Sequence, residues 1–285
     1  GLLPLLMRWL ARWLQARRVY AGHRRPKRFD YNLLVIGAGS AGLVSAYIAA
    51  AVRAKVALVE KHRMGGDCLN TGCVPSKALI RTARLLAEAR DSQRYGVRRM
   101  QAEFDFTDAM ARVREVIAKI EPHDSIERYT GLGVDVIQGR ARLVSPWEVE
   151  VDGHRISARS LILATGARPL VPDLPGLAEA DVLTSDTLWD LDRLPPRLVV
   201  LGGGPIGCEL AQCFARFGSR VSVVEMAPRL LPREDADAAG LLADTLRAEG
   251  VELHTGHRAL RVERDAAGQR LICSDGSGEI ALPFD

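Results

Sequence analysis

Apolar runs and helical stretches follow one another in a fixed order in the first part of the chain. An apolar run at residues 31–36 leads into a glycine-rich turn, and the helical stretch 43–52 comes next. A second apolar run, 55–59, then ends at Glu60. Short apolar runs that alternate with helical stretches are typical of parallel strands joined by helices. The pattern therefore predicts a strand, a turn, a helix and a strand.

The same order recurs in the second half of the chain. The run 198–201 leads into another glycine turn, the helical stretch 208–217 follows, and the run 220–224 ends at Glu225. In both copies the acidic residue stands 23 positions after the first glycine. An internal repeat of this kind predicts two α/β units of one type.

Each turn carries the pattern Gly-x-Gly-x-x-Gly, whose positions have separate physical roles. The first glycine allows a tight turn, the second lets the backbone approach a pyrophosphate, and the third lets helix and strand pack closely. The helix N-terminus then offers N–H groups to phosphates, and the acidic residue accepts hydrogen bonds from ribose hydroxyls. The predicted dinucleotide-binding residues are Gly37, Gly39, Gly42 and Glu60 in the first copy and Gly202, Gly204, Gly207 and Glu225 in the second.

These units define the fold class and the domain organisation. We expect an α/β fold with two doubly wound, Rossmann-like domains, of which the second is inserted in the first and is incomplete. The first is predicted to span residues 30–194, and it resumes as a buried strand with a glycine turn at 161–169. The second spans 195–285 and begins at a rigid Pro-Pro pair, and residues 1–29 form a basic extension.

A polar, helical stretch at residues 88–130 lies within the predicted first domain. Its apolar side chains follow helical spacing and are predicted to face the core. They are Phe104, Phe106, Met110, Val113, Val116 and Ile120.

Two cysteines, Cys68 and Cys73, follow a Gly-Gly-Asp turn and precede a helical stretch. Pro75 suits the first turn of a helix predicted at 76–87, so that Cys73 lies at or just before its N-terminus. A thiolate is stabilised there, and Lys77 would share the face of Cys73 if the helix extends that far back. The pair predicts a reversible disulfide, in which one thiol exchanges with substrate while the other stays close to an electron donor.

Two other interpretations of this pair stay open. A zinc site would need two further ligands, for which His62 and Cys208 are poorly placed, and the pair could also be buried and inert. The remaining cysteines, Cys208, Cys213 and Cys273, lie on apolar runs and are predicted to be structural. Five cysteines are too few and too unevenly spaced for a secreted disulfide framework, which favours a cytosol-type compartment.

Charge is distributed unevenly over the 285 residues. Residues 1–29 hold eight of the 39 lysine and arginine side chains and no acidic residue, so the rest, with 31 basic and 35 acidic residues, carries a net charge of −4. We therefore expect no nucleic-acid-binding face on the globular part. The content of 47% hydrophobic and 26% charged residues is that of a globular protein, and no apolar run is long enough to span a membrane.

Leucine, tryptophan and arginine alternate with a roughly helical rhythm from Leu2 to Trp13. We interpret this leader as a membrane-surface or juxtamembrane helix, because tryptophan and arginine suit a bilayer interface. An organellar transit peptide, although the usual serines are missing, and a solvated or packed extension are the two other interpretations. The expected location is the cytoplasm, with or without attachment to a membrane through residues 1–29.

The segment 65–77, with the sequence GGDCLNTGCVPSK, closely resembles the active-site motif of the pyridine nucleotide-disulfide oxidoreductases. This family includes dihydrolipoyl dehydrogenase, glutathione reductase and mercuric reductase, and the resemblance covers residues 31 to about 265. It implies FAD in the first dinucleotide site and a nicotinamide cofactor in the second. It also implies that Cys73 is the thiol touching the flavin and that Cys68 exchanges with substrate.

Further residues resemble functional positions of the family. Lys77 resembles its flavin-contacting lysine and Glu209 the carboxylate partner of that lysine, so that both join the cysteines in the predicted catalytic set. Ala141, Thr165 and Gly166 resemble positions of the flavin domain that contact FAD.

The resemblance also has gaps. Pro205 stands where many relatives carry a tyrosine that gates the nicotinamide pocket, so gating by that side chain is not implied here. The family's second FAD-binding strand, with its Gly-Asp, and its C-terminal dimerisation domain, with a His-Glu base, have no counterpart. We therefore expect a C-terminally truncated form of a homodimeric enzyme, and we expect residues 1–285 alone to be inactive.

Glu225 indicates which nicotinamide cofactor is used. A carboxylate at the end of this strand can bond both ribose hydroxyls and would repel a 2′-phosphate, which favours NAD over NADP. NADPH-specific members of the family place arginine at this position and about six residues later, where this chain has Leu231. Arg229 and Arg233 lie near enough to weaken the prediction.

The predicted function is that of a flavoprotein disulfide oxidoreductase. Electrons would pass between NAD(P)H, FAD, the Cys68–Cys73 disulfide and a thiol, disulfide or metal-ion substrate. The motif and the run 230–235 most resemble the dihydrolipoyl dehydrogenase and mercuric reductase branches. The alternative is a membrane-tethered, flavin-binding relay module that has no soluble disulfide substrate.

Overall fold

A computed structural model describes residues 3–266 and 268–285, so Leu2, where the leader's helical rhythm starts, lies outside the described residues. The helices of these residues are α1 Leu3–Val19, α2 Ser40–Ala51, α3 Gly66–Asn70, α4 Cys73–Arg90, α5 Phe106–Ile120, α6 Ile126–Gly131, α7 Pro205–Phe217 and α8 Ala236–Ala248. Short 3-10 turns lie at Ser92–Tyr95, Glu121–Asp124 and Leu188–Asp190. The strands are β1 Tyr31–Ile36, β2 Val56–Glu60, β3 Val134–Gln138, β4 Ala141–Ser145, β5 Glu148–Val151, β6 His154–Leu163, β7 Arg197–Leu201, β8 Arg220–Glu225, β9 Glu252–Thr255, β10 Arg258–Asp265, β11 Gly268–Ser274 and β12 Glu279–Phe284.

The first compact unit comprises Gly1–Asn70 and Ile120–Ala167. Its six-stranded sheet has the order β3-β2-β1-β6-β5-β4, in which the first four strands are parallel and the last two continue antiparallel. Alternate residues of β1 pack on opposite faces: Val35 joins a cluster with Leu43 of α2, and Leu34 joins another with Val149 of β5. Burial on both faces explains why β1 reads as a continuous apolar run.

The predicted strand at 161–169 is only partly as expected. It forms the second half of β6, paired in parallel with β1, but Leu161 and Ile162 are half-buried and Leu163 is exposed. The reason lies in the pairing, because β5 covers only His154–Ser157 of β6. The second half of β6 therefore has a neighbour on one side only, and the prediction of a buried strand is wrong there.

The second compact unit comprises Thr71–Lys119 and Arg168–Asp285. It contains a parallel sheet of order β7-β8-β9 and an antiparallel sheet of order β10-β11-β12. Helices α4, α5 and α7 share one apolar cluster, in which Leu79, Met110 and Phe214 are almost completely buried. A smaller cluster joins Val224 of β8 to Leu271 of the antiparallel sheet.

The two units differ in extent from the predicted domains 30–194 and 195–285. Helices α4 and α5 lie in the second unit because Leu79 and Phe106 pack in the same cluster as Phe217 of α7. Compactness thus groups residues by their apolar contacts, whereas the predicted boundaries follow the sequence repeat. The assignment of one cofactor to each domain stays a prediction.

Most of the side chains predicted to face the core at 104–120 do so. Phe106, Met110 and Val113 are buried, and Phe104 and Val116 pack against them. Ile120 is 37% exposed, because the packing of α5 ends one turn before its last residue.

The first strand of each repeat, β1 or β7, has a different neighbour on the side away from the second strand. In the first unit β6 pairs with β1 on the side away from β2, whereas no described strand pairs with the corresponding side of β7. A mainly apolar cavity of about 780 Å³ lies there, lined by residues that include Leu198, Leu201 and Ile206. The parallel sheet of the second unit is therefore three-stranded in the described chain, which agrees with the predicted incomplete domain.

The leader forms helix α1, as its rhythm predicts. Within the described ranges, no helix combines the length and the apolar character that crossing a bilayer requires.

Replacing Gly207 by alanine should destabilise the second unit, because the added methyl group would overlap the carbonyl oxygen of Gly202. We expect the free energy of unfolding to fall by about 1–3 kcal/mol. Gly240→Ala is the matched control, since Gly240 lies inside α8 with open space around it, and it should raise the free energy by about 0.5–1 kcal/mol. Urea unfolding measures the free energy of unfolding of both variants. A change of the same sign in the two variants would contradict the packing role of Gly207.

Candidate functional site

The two glycine turns have the same backbone geometry. Gly37 and Gly202 follow the first strands at φ values of +103° and +105°, a region that favours glycine. A methyl group on Gly42 would overlap the carbonyl oxygen of Gly37, just as one on Gly207 would overlap that of Gly202. The third glycine of each turn is thus the point where helix and turn make contact, as its predicted role requires.

Glu60 and Glu225 each accept one hydrogen bond from their glycine turn and one from the N–H group two residues after them. Glu60 accepts the N–H of Ala38 on Oε2 at 2.6 Å and that of His62 on Oε1 at 2.8 Å. Glu225 accepts the N–H groups of Gly203 and Ala227, both at 2.7 Å. Each carboxylate therefore lies beside its turn at the end of the second strand, and each oxygen keeps a lone pair for a further donor.

Helices α2 and α7 begin at these turns without a side-chain cap. Their N-cap residues are Gly39 and Gly204, and in the described structure neither helix has a side-chain hydrogen bond at its N-cap. The first-turn N–H groups and the partial positive charge of a helix N-terminus attract phosphate groups. Pro205 is the first residue of α7, where its missing N–H group costs nothing.

Other predicted residues of the first dinucleotide site gather around the first turn. Thr165 and Gly166 directly follow β6, and the N–H of Ala164 donates to the carbonyl oxygen of Ile36 at 2.8 Å. Ala141 begins β4 two residues after Gly139, whose N–H donates to the carbonyl oxygen of Glu60 at 2.9 Å. The first unit thus brings these three residues to the strand ends that carry the glycine turn.

The segment before Cys68 also contacts the first turn. The N–H of Gly65 donates to the carbonyl oxygen of Ala38 at 2.9 Å, and a side chain on Gly66 would collide with the backbone of Gly39. Helix α3 then carries Cys68, which is half-buried, and the side-chain amide of Asn70 donates to the carbonyl oxygen of Gly66 at 2.9 Å. The position of Cys68 is therefore fixed within the first unit.

Cys73 is the first residue of α4 and is exposed. The helix begins three residues earlier than the predicted range 76–87, and Gly72 is its N-cap. Pro75 consequently lies in the first turn, as expected, and Lys77 lies one turn after Cys73 on the same face. Cys68 belongs to the first unit and Cys73 to the second.

Lys77 forms an ion pair with Glu209 of α7. Its Nζ lies 2.7 Å from Oε2 and 2.9 Å from Oε1 of the carboxylate, and the two side chains are 58% and 41% exposed. Exposed pairs contribute at most about 1 kcal/mol to stability. The pair joins α4 to α7 and fixes the side chain of Lys77.

The remaining cysteines, Cys208, Cys213 and Cys273, are buried. Burial raises the pKa of the Cys213 thiol to about 12 and that of Cys273 to about 11, and burial and then the charge of Glu225 raise the pKa of Cys208. These thiols stay protonated at neutral pH, which supports the predicted structural role. Within residues 3–266 and 268–285, no group of three or more His, Cys, Asp or Glu side chains is arranged to hold a metal ion.

One contact of the redox segment was not predicted. The indole Nε1–H of Trp189 donates to the carbonyl oxygens of Thr71 and Ser185, at 2.9 and 2.8 Å. Thr71 lies between Cys68 and Cys73 in the sequence, so Trp189 anchors the backbone that leads into α4. Trp189 stands next to Leu188 in the sequence, so its neighbours predict burial but not this contact.

Comparison with known proteins gives the relatives of the chain. The family model described as pyridine nucleotide-disulphide oxidoreductase matches residues 31–283. A mercuric reductase of Bacillus cereus is 35% identical over 237 residues, which are 83% of this chain and 38% of that protein. A dihydrolipoyl dehydrogenase of Acholeplasma laidlawii is 35% identical over 239 residues, which are 82% of this chain and 71% of that protein.

A solved structure is similar over most of the chain. The HOCl-induced flavoprotein disulfide reductase RclA from Escherichia coli has 31% sequence identity and a TM-score of 0.73, over 88% of this chain and 55% of that one. The chain spans about half the length of most of the curated relatives that it matches.

Alkylation should divide the five cysteines into two classes. After reduction, iodoacetamide at neutral pH should label Cys68 and Cys73 in the folded protein, because both reach solvent. Cys208, Cys213 and Cys273 should react only after unfolding, because all three are buried. Burial also raises the pKa of Cys208, and it raises the pKa of Cys213 to about 12 and that of Cys273 to about 11, which leaves little thiolate at neutral pH. Peptide mass spectrometry measures the labelling, with urea-unfolded protein as the control. Rapid labelling of Cys213 in the folded protein would contradict this division.

Proposed function

Because the chain belongs to the pyridine nucleotide-disulphide oxidoreductase family, we propose that it carries the redox centre of an FAD-dependent disulfide oxidoreductase. The observation that carries the proposal is the position of Cys73 as first residue of α4, with Lys77 one turn later. A helix N-terminus and a nearby ammonium group both stabilise a thiolate. Five residues before it, Cys68 supplies the second sulfur of the predicted disulfide.

We propose that the first unit holds FAD. Gly37, Gly39 and Gly42 leave room for a pyrophosphate at the uncapped start of α2, and Glu60 offers oxygen atoms to the adenosine ribose. Ala141, Thr165 and Gly166 lie at neighbouring strand ends and would line the same pocket. The fit of these backbone and carboxylate groups to a dinucleotide supports the assignment.

The second unit is proposed to hold the nicotinamide cofactor. Gly202, Gly204 and Gly207 repeat the geometry of the first turn, and Glu225 repeats the hydrogen bonds of Glu60. When bound, FAD would accept a hydride from the reduced nicotinamide and supply two electrons to the disulfide.

The proposed role of the chain begins with reduction of the Cys68–Cys73 disulfide. This step breaks the S–S bond and takes up two electrons and two protons, which leaves two thiol groups. The Cys68 thiolate then attacks a disulfide substrate and displaces one substrate thiol. Cys73 then attacks the sulfur of Cys68 in this mixed disulfide and displaces the second substrate thiol, so that the Cys68–Cys73 bond forms again. Oxidation of a dithiol substrate follows the same steps in reverse. Lys77 follows Cys73 by one turn of α4, and its ion pair with Glu209 fixes the position of its ammonium group.

The proposed substrate is a thiol, a disulfide or a metal ion. The names of the relatives include a mercuric reductase and a dihydrolipoyl dehydrogenase, and RclA was also solved as a Cu(II) complex, 31% identical with a TM-score of 0.72 over 88% of this chain and 54% of that one. We favour a substrate of the dihydrolipoyl dehydrogenase or mercuric reductase branch, because the sequences of residues 65–77 and 230–235 most resemble those branches. A homodimer is the proposed assembly of the full-length protein.

Absorption spectroscopy of the purified full-length protein tests the redox proposal. We expect one FAD per chain and, after two-electron reduction, a long-wavelength band from contact between the Cys73 thiolate and the flavin. Cys73→Ser should abolish the band. Cys68→Ser should show it without reductant, because Cys73 can then no longer be held in the disulfide.

Cys273→Ser is the matched control, since Cys273 lies on β11 among apolar side chains and should leave the spectrum unchanged. A band in Cys73→Ser and none in Cys68→Ser would mean that the two sulfurs exchange roles. Protein that binds no flavin in any form would overturn the proposed function.

We further propose that the nicotinamide is NAD rather than NADP. Arg229 is one of the two arginines that could bind a 2′-phosphate, but its guanidinium donates to the carbonyl oxygens of Leu231, Pro232 and Glu234 at 2.8–3.0 Å. These bonds shape the loop after β8, which includes Leu231 at a φ of +46°. Because Arg229 is held by hydrogen bonds within its own loop, it supports the preference for NAD that Glu225 predicts.

Steady-state kinetics of the full-length protein should give a higher kcat/KM for NADH than for NADPH. Glu225→Gln should narrow the ratio about tenfold, because the neutral side chain removes the repulsion of a 2′-phosphate, a change of roughly 1.4 kcal/mol. Arg233→Gln is the control and should leave the ratio unchanged. A preference for NADPH that Arg233→Gln abolishes would show instead that Arg233 binds the phosphate.

A further inference from the structure

Helix α1 presents its apolar side chains to solvent. None of the 17 residues of the described helix Leu3–Val19 is buried, although it contains two tryptophans and several leucines. Trp9 is 64% exposed and Leu6 is 58% exposed. Burying a large apolar side chain contributes about 1.5–3 kcal/mol, so a face of this size is expected to find a partner.

Most of the apolar side chains of α1 occupy one side of the helix, and Leu5 is an exception. They follow the i, i+3, i+4, i+7 spacing of an amphipathic helix. This apolar face of α1 consists of Leu3, Leu6, Met7, Leu10, Trp13 and Leu14, with Trp9 at its edge. Arg8, Arg12 and Gln15 lie on the other side at helical spacing, and Arg17 closes the face at its C-terminal end, where its guanidinium lies 4.1 Å from the centre of the Trp13 ring.

The charge around this face has one sign. The helix contains Arg8, Arg12, Arg17 and Arg18, and the basic cluster Arg24, Arg25, Lys27 and Arg28 follows it. No acidic residue occurs before Asp30. A partner of this surface must therefore combine negative charge with an apolar interior.

The end of the helix is attached to the first unit. Tyr20 stacks on Trp147 with ring centres 4.8 Å apart, and the guanidinium of Arg25 lies 6.0 Å from the same Trp147 ring. This contact uses the residues that follow α1 and leaves the apolar face of the helix uncovered.

We propose that α1 lies in the surface of a bilayer that contains anionic phospholipid. In that position the apolar face enters the boundary between headgroups and acyl chains, and the arginines of the opposite side contact lipid phosphates. Trp9 and Trp13 would lie at headgroup level, where tryptophan is enriched. A protein groove would satisfy the apolar face, but the one-sided charge of eight basic residues matches an anionic lipid surface.

Vesicle co-sedimentation of the full chain tests this proposal. The protein should bind vesicles of phosphatidylcholine with phosphatidylglycerol more tightly than vesicles of phosphatidylcholine alone, and salt should weaken the binding. Binding should also protect Trp9 and Trp13 from iodide quenching, whereas Trp147 and Trp189 are already buried.

Two leucines supply a matched pair of variants. Leu5 and Leu6 are neighbours and are 63% and 58% exposed, but only Leu6 lies on the apolar face. Leu6→Gln should weaken binding about tenfold, and Leu5→Gln should leave it nearly unchanged. The double change Arg8→Gln with Arg12→Gln should reduce affinity for the anionic vesicles by a factor of about five for each arginine.

Equal affinity of the Leu5→Gln and Leu6→Gln proteins, or equal binding to both kinds of vesicle, would overturn the proposal. Light scattering tests the alternative occupant: a dimer that Leu6→Gln dissociates would mean that a second copy covers the face, which would also overturn it. Circular dichroism of each variant checks that the exposed substitutions leave the fold intact. None of these outcomes depends on the proposed redox function.

Discussion

The hydrogen bonds that two carboxylates accept from the N–H groups of two glycine turns position both predicted cofactor sites. Glu60 accepts the N–H of Ala38 at 2.6 Å, and Glu225 accepts that of Gly203 at 2.7 Å. Each bond links the end of a second strand to the turn that follows the first strand. A larger third residue in the turn would push the helix away and separate these groups, which is why Gly42 recurs as Gly207. The uncapped helix start, the turn and the carboxylate thus stay together on one sheet edge.

Elements that depend on local sequence patterns could be predicted from the sequence. Features that depend on contacts between distant residues could not. Strand, turn and helix of each repeat follow from short-range periodicity, and both copies fold as expected. The antiparallel strands β4 and β5 and the sheet β10-β11-β12 were not predicted, because their pairing depends on contacts that apolar runs do not specify. The sequence also did not predict that α4 and α5 belong to the second unit. Leu79 and Phe106 pack against residues of α7 that lie more than a hundred positions later, and such contacts leave no local pattern.

The candidate site shows the same division. The neighbours of Cys73 and Cys213 in the sequence distinguish the two residues, because a proline in the first turn of a helix and an apolar run are both local features. The contact between Trp189 and Thr71 was not, since a side chain that binds a backbone carbonyl 118 positions away leaves no periodic signal. The ion pair of Lys77 with Glu209 was expected only through the resemblance of residues 65–77 to a known motif, because a lone lysine and a lone glutamate in separate helices carry no signal of pairing.

The leader, residues 1–29, and the rest of the chain carry net charges of opposite sign. Residues 1–29 carry eight basic groups and no acidic one, whereas the remaining residues carry a net charge of −4. An anionic surface would therefore attract the leader and weakly repel the rest. The stacking of Tyr20 on Trp147 sets the point where the two parts join. If α1 occupies a bilayer surface, the basic cluster Arg24, Arg25, Lys27 and Arg28 that follows it contacts the same anionic headgroups, whereas the net negative charge of the remaining residues keeps them from binding there.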